Sequence, residues 1–119
     1  MKKLPILLMI IWSAQISAYD ELHLRRFKAL NKCPGCDLSG ANLSKVFLVE
    51  TNLTDANLTG ANLSRANLSQ VSLVFANLTN ANLANANLAV ANLTGADLDG
   101  VHGADFSGAE NVNPKYLKD

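Results

Sequence analysis

Two cysteines separated by two residues are the side chains of this sequence with the clearest capacity for covalent chemistry. Cys33 and Cys36 flank the dipeptide Pro34-Gly35. A Cys-x-x-Cys pair can act as a thioredoxin-like redox site when its first cysteine begins a helix beside a parallel sheet. A Pro-Gly turn also brings the flanking Cα atoms within about 7 Å, which is close enough for a disulfide bond. The spacing alone therefore leaves open a structural disulfide, a redox pair, and free or metal-bound thiols.

The other titratable side chains do not suggest a catalytic or metal site. His23 and His102 are the two histidines and lie near opposite ends of the chain, so a Ser-His-Asp arrangement is not expected. Asp97, Asp99 and Asp105 could offer oxygen ligands to Ca²⁺, but their spacing matches no calcium loop, and we expect them to face solvent. Two cysteines alone cannot complete a tetrahedral zinc site. The sequence therefore predicts no catalytic residue, no metal ligand and no cofactor.

The first eighteen residues have the composition of a secretory signal peptide. Lys2 and Lys3 precede an apolar run over residues 4–12 and a stretch of mostly small residues over 13–18. This order is typical of an export signal, here with cleavage after Ala18. A retained membrane anchor is the alternative, although the apolar run is short for spanning a bilayer. We predict export to the periplasm or the extracellular space.

The predicted compartment favours one of the interpretations of the cysteine pair. Thiols held within bonding distance form disulfides in an oxidising environment. We therefore predict a structural disulfide between Cys33 and Cys36, which would join the N-terminal segment to the region that follows it. A thiol-disulfide redox protein remains the alternative.

The charge balance gives no electrostatic case for binding nucleic acid or an anionic membrane. The whole chain has 10 basic and 10 acidic side chains. Loss of Lys2 and Lys3 with the signal would leave 10 − 2 = 8 basic side chains against 10 acidic ones, a net charge of −2. A chain so close to neutrality lacks the basic surface that attracts both kinds of partner. We predict no nucleic-acid partner and no stable membrane insertion after signal cleavage.

A five-residue phrase fills the middle of the chain. Thirteen blocks follow one another without a gap over residues 36–100, each with Leu third, and most consist of a small residue, Asn or Asp, Leu and two variable positions. Leucines five apart would point to alternate faces of a straight strand and would spiral around a helix. The chain must therefore turn a corner once per block if all the leucines are to lie inside. The small residue two positions before each Leu shares its side, so we expect both to face inward and the others outward.

The blocks ANLTG at 56–60, ANLSR at 61–65, ANLAN at 81–85 and ADLDG at 96–100 resemble the A(D/N)LXX motif of pentapeptide repeat proteins. The resemblance implies an all-β fold, a right-handed quadrilateral parallel β-helix with four blocks in each coil. Residues twenty apart would then stack, as in the ladder of Leu38, Leu58, Leu78 and Leu98. It also implies that the Asn residues are hydrogen-bonded turn residues rather than ligands.

The two ends of a stack of repeats need covers because their apolar interiors would otherwise meet water. Residues 20–31 are predicted to form a short helix, with Leu24, Phe27 and Leu30 on one side. After Gly100 the phrase breaks and restarts two residues early at 104–108, with Phe106 in the inward position. Asn113 and Pro114 are well placed to begin a last helical turn, after which Tyr116 or Leu117 would cover the last coil.

These patterns predict four consecutive regions. Residues 1–18 form the signal peptide, and residues 19–35 form the N-terminal helical cap with the CPGC turn. Residues 36–100 form the thirteen repeats, and residues 101–119 form an irregular last repeat and a C-terminal cap.

Apolar residues at a few outward positions are the best lead to function. The phrase keeps polar or small residues at these positions, but two blocks and one later residue depart from it. The departures are Phe47, Val49, Val74, Phe75 and Val90. A cluster of exposed apolar side chains usually marks a contact surface. We predict that these residues bind a partner protein or a second copy of the chain, with packing against the terminal segments as the alternative.

Taken together, these features predict a non-enzymatic, exported module that is rigid and either structural or protein-binding. One alternative comes from the resemblance, since some pentapeptide repeat proteins protect gyrase by mimicking duplex DNA. A short, nearly neutral, exported chain is a poor match for that activity. The other alternative is the redox protein built on the cysteine pair.

Overall fold

The fold is a stack of coils in the computed structural model, which describes residues 33–117. The predicted signal peptide at 1–18 and the predicted helix at 20–31 lie outside the described residues. Because the chain turns after every short extended segment, no strand is longer than a single bridge among the described residues. All of these bridges are parallel, which is the pairing expected when successive coils run in the same direction.

Four columns of bridges define four faces of the stack. Almost every bridge joins residues twenty apart, so one coil contains four blocks, as predicted. We number the faces from the first block. Face 1 carries Asp37, Asn57, Asn77 and Asp97; face 2 carries Asn42, Asn62, Asn82 and His102; face 3 carries Phe47, Asn67 and Asn87; and face 4 carries Asn52, Ser72, Asn92 and Glu110.

The same hydrogen bonds recur between neighbouring coils. In the second coil, Leu58 N donates to Asn77 O at 2.7 Å, and Asn77 N donates to Ala56 O at 2.9 Å. At each corner the small residue of the next block donates back to the preceding leucine, as Ala61 N does to Leu58 O at 3.0 Å. The backbone is therefore paired through the neighbouring coil and through its own turns, as a buried backbone requires.

The interior contains the leucines and the small residues, which confirms the predicted inward and outward assignment. Every repeat leucine from Leu38 to Leu98 is at most 3% exposed, and the residues two positions earlier are at most 7% exposed. The remaining three positions of each block are partly buried or exposed in most of the stack.

The stack begins one block before residue 36, where the thirteen repeats were predicted to start. Cys33 N donates to Asn52 O, and Gly35 N donates to Thr54 O, both at 2.8 Å. These bonds repeat those made by the leucine and the corner residue of later blocks. Cys33 therefore occupies a leucine position beneath face 4, and Cys36 occupies the next small position.

The C-terminal end closes the stack with a shifted register. Asn92 pairs with Glu110, which is 18 rather than 20 residues later, because two residues are missing from the block after Gly100. Phe106 and Tyr116 are partly buried against the core, whereas Leu117 is exposed. A 3-10 helix spans Pro114–Tyr116, confirming the predicted last turn. No helix among the described residues is long and apolar enough to cross a membrane.

Candidate contact surface

The last residue of each block determines the conformation of a corner. In every block from 31–35 to 96–100 this residue has a positive φ. Glycine adopts that conformation without steric cost, and Asn and Asp tolerate it better than other residues do. The stack uses Gly60 and Asn80 in this way, but it also places Phe75 at φ 59° and Val90 at φ 61°. A β-branched or aromatic residue is unfavourable there, so the fold alone gives no reason for either side chain.

Phe75 and Val90 are also exposed, at 62% and 49% of their surface. They lie at the two corners that border face 4, which block 91–95 forms in the third coil. Val90 comes directly before this block. Phe75 lies one coil earlier, beneath Gly95, which is the last residue of the block. Val74 is partly buried on the same face, next to Phe75. Three of the five candidate residues therefore border one face.

The ring of Phe75 lies against the corner of the next coil. A Cβ atom built at Gly95 would overlap Cδ1 and Cε1 of this ring. The ring therefore occupies the space that a side chain at residue 95 would need, and it covers one side of the glycine while most of its own surface faces solvent. An aromatic ring seated in this way is positioned before any partner arrives.

Phe47 and Val49 lie apart from this group. Both belong to face 3 in the first coil, whereas Val90 is on the same face two coils further on. Phe47 is 51% exposed and Val49 is partly buried. At about 4.8 Å per coil, two coils correspond to about 10 Å. The five predicted residues therefore form a main group around face 4 and a smaller pair on the adjacent face.

The two cysteines form a disulfide across the first corner. Their Cα atoms are 5.2 Å apart, and both residues are completely buried. Reactive thiols need access to a substrate and a polar environment that stabilises the thiolate. Here the disulfide replaces the leucine and the small residue that flank every other corner. Its geometry suits a structural bond better than a redox site.

The acidic and histidine side chains near the C-terminal end make local contacts. Tyr116 Oη donates to Asp99 at 2.9 Å, and Lys115 lies 3.6 Å from the same carboxylate. These neighbours raise the pKa of Lys115, through its contact with Tyr116 first and the charge of Asp99 second. Asp105 accepts hydrogen bonds from the hydroxyl and the amide of Ser107, which lower the pKa of Asp105. His102 is exposed.

These acidic residues do not form a calcium site in the part of the chain that the structure describes. No group of three or more His, Cys, Asp or Glu side chains within residues 33–117 is arranged to hold a metal ion. Asp97 accepts a hydrogen bond from the Asp99 amide at 3.0 Å, and Asp105 is committed to Ser107. Their carboxylates stabilise turns.

The outward Asn residues are turn residues, as the resemblance implied. Asn57 Oδ1 accepts hydrogen bonds from the amide of Thr59 at 3.1 Å and from its hydroxyl at 2.6 Å. Asn77 and Thr79 repeat the arrangement in the next coil. Such Asx turns satisfy the amide at the start of each corner. The regular Asn columns are thus explained by the fold and give no evidence of a ligand.

One buried polar group was not anticipated from the sequence. Thr51 occupies a small inward position and is 1% exposed, and its hydroxyl has no hydrogen-bond partner within residues 33–117. Val71 and Ala91 fill the same position in the following coils. A threonine at the first position of a block is not unusual enough to attract notice in the sequence. Only the register of the stack shows that its hydroxyl is buried.

Comparison with protein families agrees with this geometry. The family model described as "Pentapeptide repeats (8 copies)" matches residues 36–73 and 72–110, more than half of the chain. The chain belongs to the pentapeptide repeat family. Pentapeptide repeat proteins form right-handed β-helices, and they generally act as structural or binding modules rather than enzymes. No curated protein sequence matches the chain.

Several solved pentapeptide repeat structures are similar to the chain. HetL, a protein involved in regulating heterocyst differentiation in Nostoc sp. strain PCC 7120, is 40% identical over 66% of the chain, with a TM-score of 0.33. The chain spans only 39% of the length of HetL. The alr5209 protein of Nostoc PCC 7120 is 28% identical over 86% of the chain and 94% of its own length, with a TM-score of 0.43.

A third solved structure is more distantly similar to the chain. A trypsin-treated form of QnrB1, a plasmid-mediated fluoroquinolone resistance protein, is 21% identical over 62% of the chain and 44% of its own length, with a TM-score of 0.27. A match with so low a TM-score supports no conclusion about this chain. It gives no ground for transferring the activity of QnrB1 to this pentapeptide repeat protein.

Proposed function

We propose that this pentapeptide repeat protein is a non-enzymatic, exported binding module. Its main contact surface consists of Val74, Phe75 and Val90 around face 4, and Phe47 and Val49 extend it on face 3. The partner is a protein, either a second copy or a different protein of the same compartment. Pentapeptide repeat proteins act in protein interactions, which supports a protein partner over a small molecule.

The proposal rests on one observation: Phe75 and Val90 are exposed, and both also have an unfavourable backbone conformation. Each residue has a positive φ and exposes about half or more of its surface. Several corresponding positions in other blocks carry Asn80, Asn85 or glycine, which satisfy the same backbone at lower steric cost, and the rest carry polar or charged side chains. Unfavourable local conformations that persist in a stable fold are associated with functional sites. Large aromatic side chains are also frequent among the residues that dominate binding energy at interfaces.

The decisive experiment replaces each apolar corner residue by asparagine. Val90→Asn and Phe75→Asn introduce the residue already present at Asn80 and Asn85, so the backbone should be preserved or relieved. We expect Val90→Asn to leave the free energy of unfolding unchanged or to raise it by up to about 1 kcal/mol. We expect binding to weaken in both variants and most in the double variant.

The matched control is Gln70→Asn, which lies in the same corner column as Val90 and exchanges one polar side chain for another. Self-association is measured by light scattering over a range of concentrations, and partner binding by pull-down from an envelope extract. Urea unfolding is measured on the same samples. If Phe75→Asn and Val90→Asn both lower stability while leaving association and pull-down unchanged, the side chains serve internal packing and the proposed surface is wrong.

Export is a separate part of the proposal, and it is supported by residues 1–18 and by the disulfide. Fractionation of cells expressing the full chain tests it. We expect the protein in the periplasm or the medium, with a mass corresponding to cleavage after Ala18. Recovery of the intact chain from the cytoplasm would contradict export, and recovery from the membrane would instead support a retained anchor. Gyrase protection stays a prediction from the resemblance, and a supercoiling assay tests it.

A further inference from the structure

Charged side chains are unevenly distributed over the corners of the stack. The corner between faces 2 and 3 carries Lys45 and Arg65, one coil apart. The two corners that border face 4 carry Glu50 and Asp55 in the first coil. All four side chains are exposed, and none of them forms an ion pair with another residue of the described range 33–117. The stack therefore has a basic side and an acidic side that are complementary to each other.

The basic corner borders face 2, and the two acidic corners border face 4. These two faces are on opposite sides of the stack, because four faces follow one another around each coil. A second copy with a parallel axis can therefore place its face 2 against face 4 by translation alone. The corner between faces 2 and 3 then lies opposite the corner between faces 3 and 4, and the corner between faces 1 and 2 lies opposite the corner between faces 4 and 1. Coils of equal height meet.

The residues that meet in the first two coils are complementary in charge and in shape. In the first coil, Glu50 would meet Lys45 of the next copy. In the second coil, Phe75 would meet Gly60 of the next copy. A Cβ atom built at Gly60 has no atom within 4 Å, so the space above this glycine is open. It can receive the exposed part of the Phe75 ring.

The third coil adds an apolar contact. Val90 would meet Ala84 of the next copy, which is partly buried at the edge of face 2. The same position carries Ser44 and Ser64 in the lower coils, so the apolar side chain on face 2 occurs at the height of Val90. Charged, open and apolar positions thus match at successive heights.

A symmetric contact of face 4 with itself lacks this match. A two-fold axis parallel to the stack would bring Glu50 of each copy opposite Asp55 of the other. With antiparallel axes, Glu110 at the far end of face 4 would approach the same two residues. Like charges opposed across an interface are unfavourable. The distribution of charge therefore favours contact between two different faces.

We propose that the protein associates with its own copies side by side, with face 4 of one copy on face 2 of the next and all axes parallel. This inference rests on the contact surface proposed above and names a second copy as its partner. Because the two surfaces differ and lie on opposite sides, the contact does not close on itself and the copies form an open row. Three coils are only about 15 Å tall, so the contact is small and the association is weak.

Sedimentation velocity of the protein expressed from its full reading frame, at concentrations up to about 1 mM, tests the proposal. The wild-type protein should form dimers and longer rows as its concentration rises. The face-2 variant is Lys45→Glu/Arg65→Glu, and glutamate suits both corners because Glu50 already has a positive φ. The face-4 variant is Phe75→Asn/Val90→Asn. Each variant should raise the dissociation constant by about tenfold or more.

An equimolar mixture of the two variants shows whether different faces meet. The face-2 variant keeps an intact face 4, and the face-4 variant keeps an intact face 2. The mixture should therefore form 1:1 dimers that do not grow longer, which also shows that both variants are folded. A mixture that stays monomeric would overturn the proposal. A dimer of the face-2 variant alone would overturn it too, because that contact would be symmetric.

Exchanging the charges of one pair tests the register. Lys45→Glu alone should raise the dissociation constant by about tenfold or more, and adding Glu50→Lys should restore most of the affinity because the pair forms again with reversed signs. The control Asn57→Asp/Asn77→Asp makes the same change in net charge on face 1, where two other Asp residues already occupy the column, and should leave association unchanged. A double charge variant that binds no better than Lys45→Glu would contradict the proposal.

Failure of this inference and failure of the proposed function give different results. If the wild-type protein stays monomeric at about 1 mM, the row of copies is wrong. Loss of an envelope protein from the pull-down with the face-4 variant would then still support the contact surface, with that protein as its partner. If the face-4 variant changes neither self-association nor the pull-down, both proposals are wrong.

Discussion

The inward positions and the corners of the stack obey different constraints. Inside, each block places a leucine and a small residue in a closed space, and the sequence hardly varies. At the corners the fold requires only a positive φ, and the chain meets that requirement with Gly60, Asn80, Arg65, Phe75 and Val90. The inward residues therefore indicate the fold, whereas corner residues that depart from the repeated phrase can indicate a function. Substitutions can separate the two kinds of position.

The largest expected effect is at an inward position of the middle coil. Leu68 is completely buried, so Leu68→Asp would place a charge where neither water nor a partner can reach it, at a cost of several kcal/mol. We expect this variant not to fold. Ser69→Asp, at the adjacent outward position, should change the free energy of unfolding by no more than about 0.5 kcal/mol. Circular dichroism and urea unfolding check both, and equal effects would refute the distinction between inward and outward positions.

The next largest effect is expected at the first corner of the stack, which the disulfide between Cys33 and Cys36 closes. Cys33→Leu with Cys36→Ala introduces the residues that flank the other corners, so the variant removes the bond with little loss of packing. A disulfide that closes so short a loop contributes about 2 kcal/mol, and we expect a loss of that size in urea. Cys33→Ser with Cys36→Ser should lose more because it buries two hydroxyls. A Leu/Ala variant as stable as the wild-type protein would show that the disulfide does not stabilise the stack.

Much of the fold follows from the period of five, because that period excludes straight strands and helices and requires a corner in each block if Leu38 through Leu98 are all to lie inside. The four blocks in each coil were implied by the resemblance to pentapeptide repeat proteins. The start of the stack was harder to predict. Cys33 stands at a leucine position within the block NKCPG, which shares almost no residue with the phrase. Its place becomes visible only through its hydrogen bond to Asn52 in the next coil.

The residues of the candidate surface and the two adjacent faces that carry them were predictable, but the seating of the Phe75 ring was not. Phe75 and Val90 break the phrase, and this alone identifies them. Their separation from Phe47, and the contact between the Phe75 ring and Gly95, depend on which residues stack twenty positions apart and on how a side chain turns at a corner. The resemblance to pentapeptide repeat proteins implies the first of these, and the sequence contains nothing about the second.

A smaller effect is expected inside the stack at Thr51, where a substitution should increase the stability instead of lowering it. Thr51→Val removes a buried hydroxyl that has no partner in the described part of the chain, and it leaves a side chain of the same shape as Val71, one coil later. We expect the free energy of unfolding to rise by about 1 kcal/mol. The matched control, Val71→Thr, creates the same unpaired hydroxyl and should lower it by a similar amount. A loss of stability in Thr51→Val would mean that its hydroxyl makes a bond in solution.

The smallest expected effect is the difference in cost between two glycine substitutions at corners of the stack. Gly60→Ala, with φ at 67° and nothing near the added methyl group, should cost only the steric penalty of a positive φ, about 1 kcal/mol. Gly95→Ala has nearly the same φ, but it must also displace the ring of Phe75, so its cost should be greater by about 0.5–1 kcal/mol.

In a Phe75→Asn background this excess cost of Gly95→Ala should disappear, because no ring remains to be moved. Urea unfolding of the four proteins of this cycle, with Gly60→Ala measured in both backgrounds, gives the coupling directly. If Gly95→Ala costs the same as Gly60→Ala in the wild-type background, the ring is not seated on Gly95 in solution, and Phe75 is a mobile side chain rather than a positioned contact.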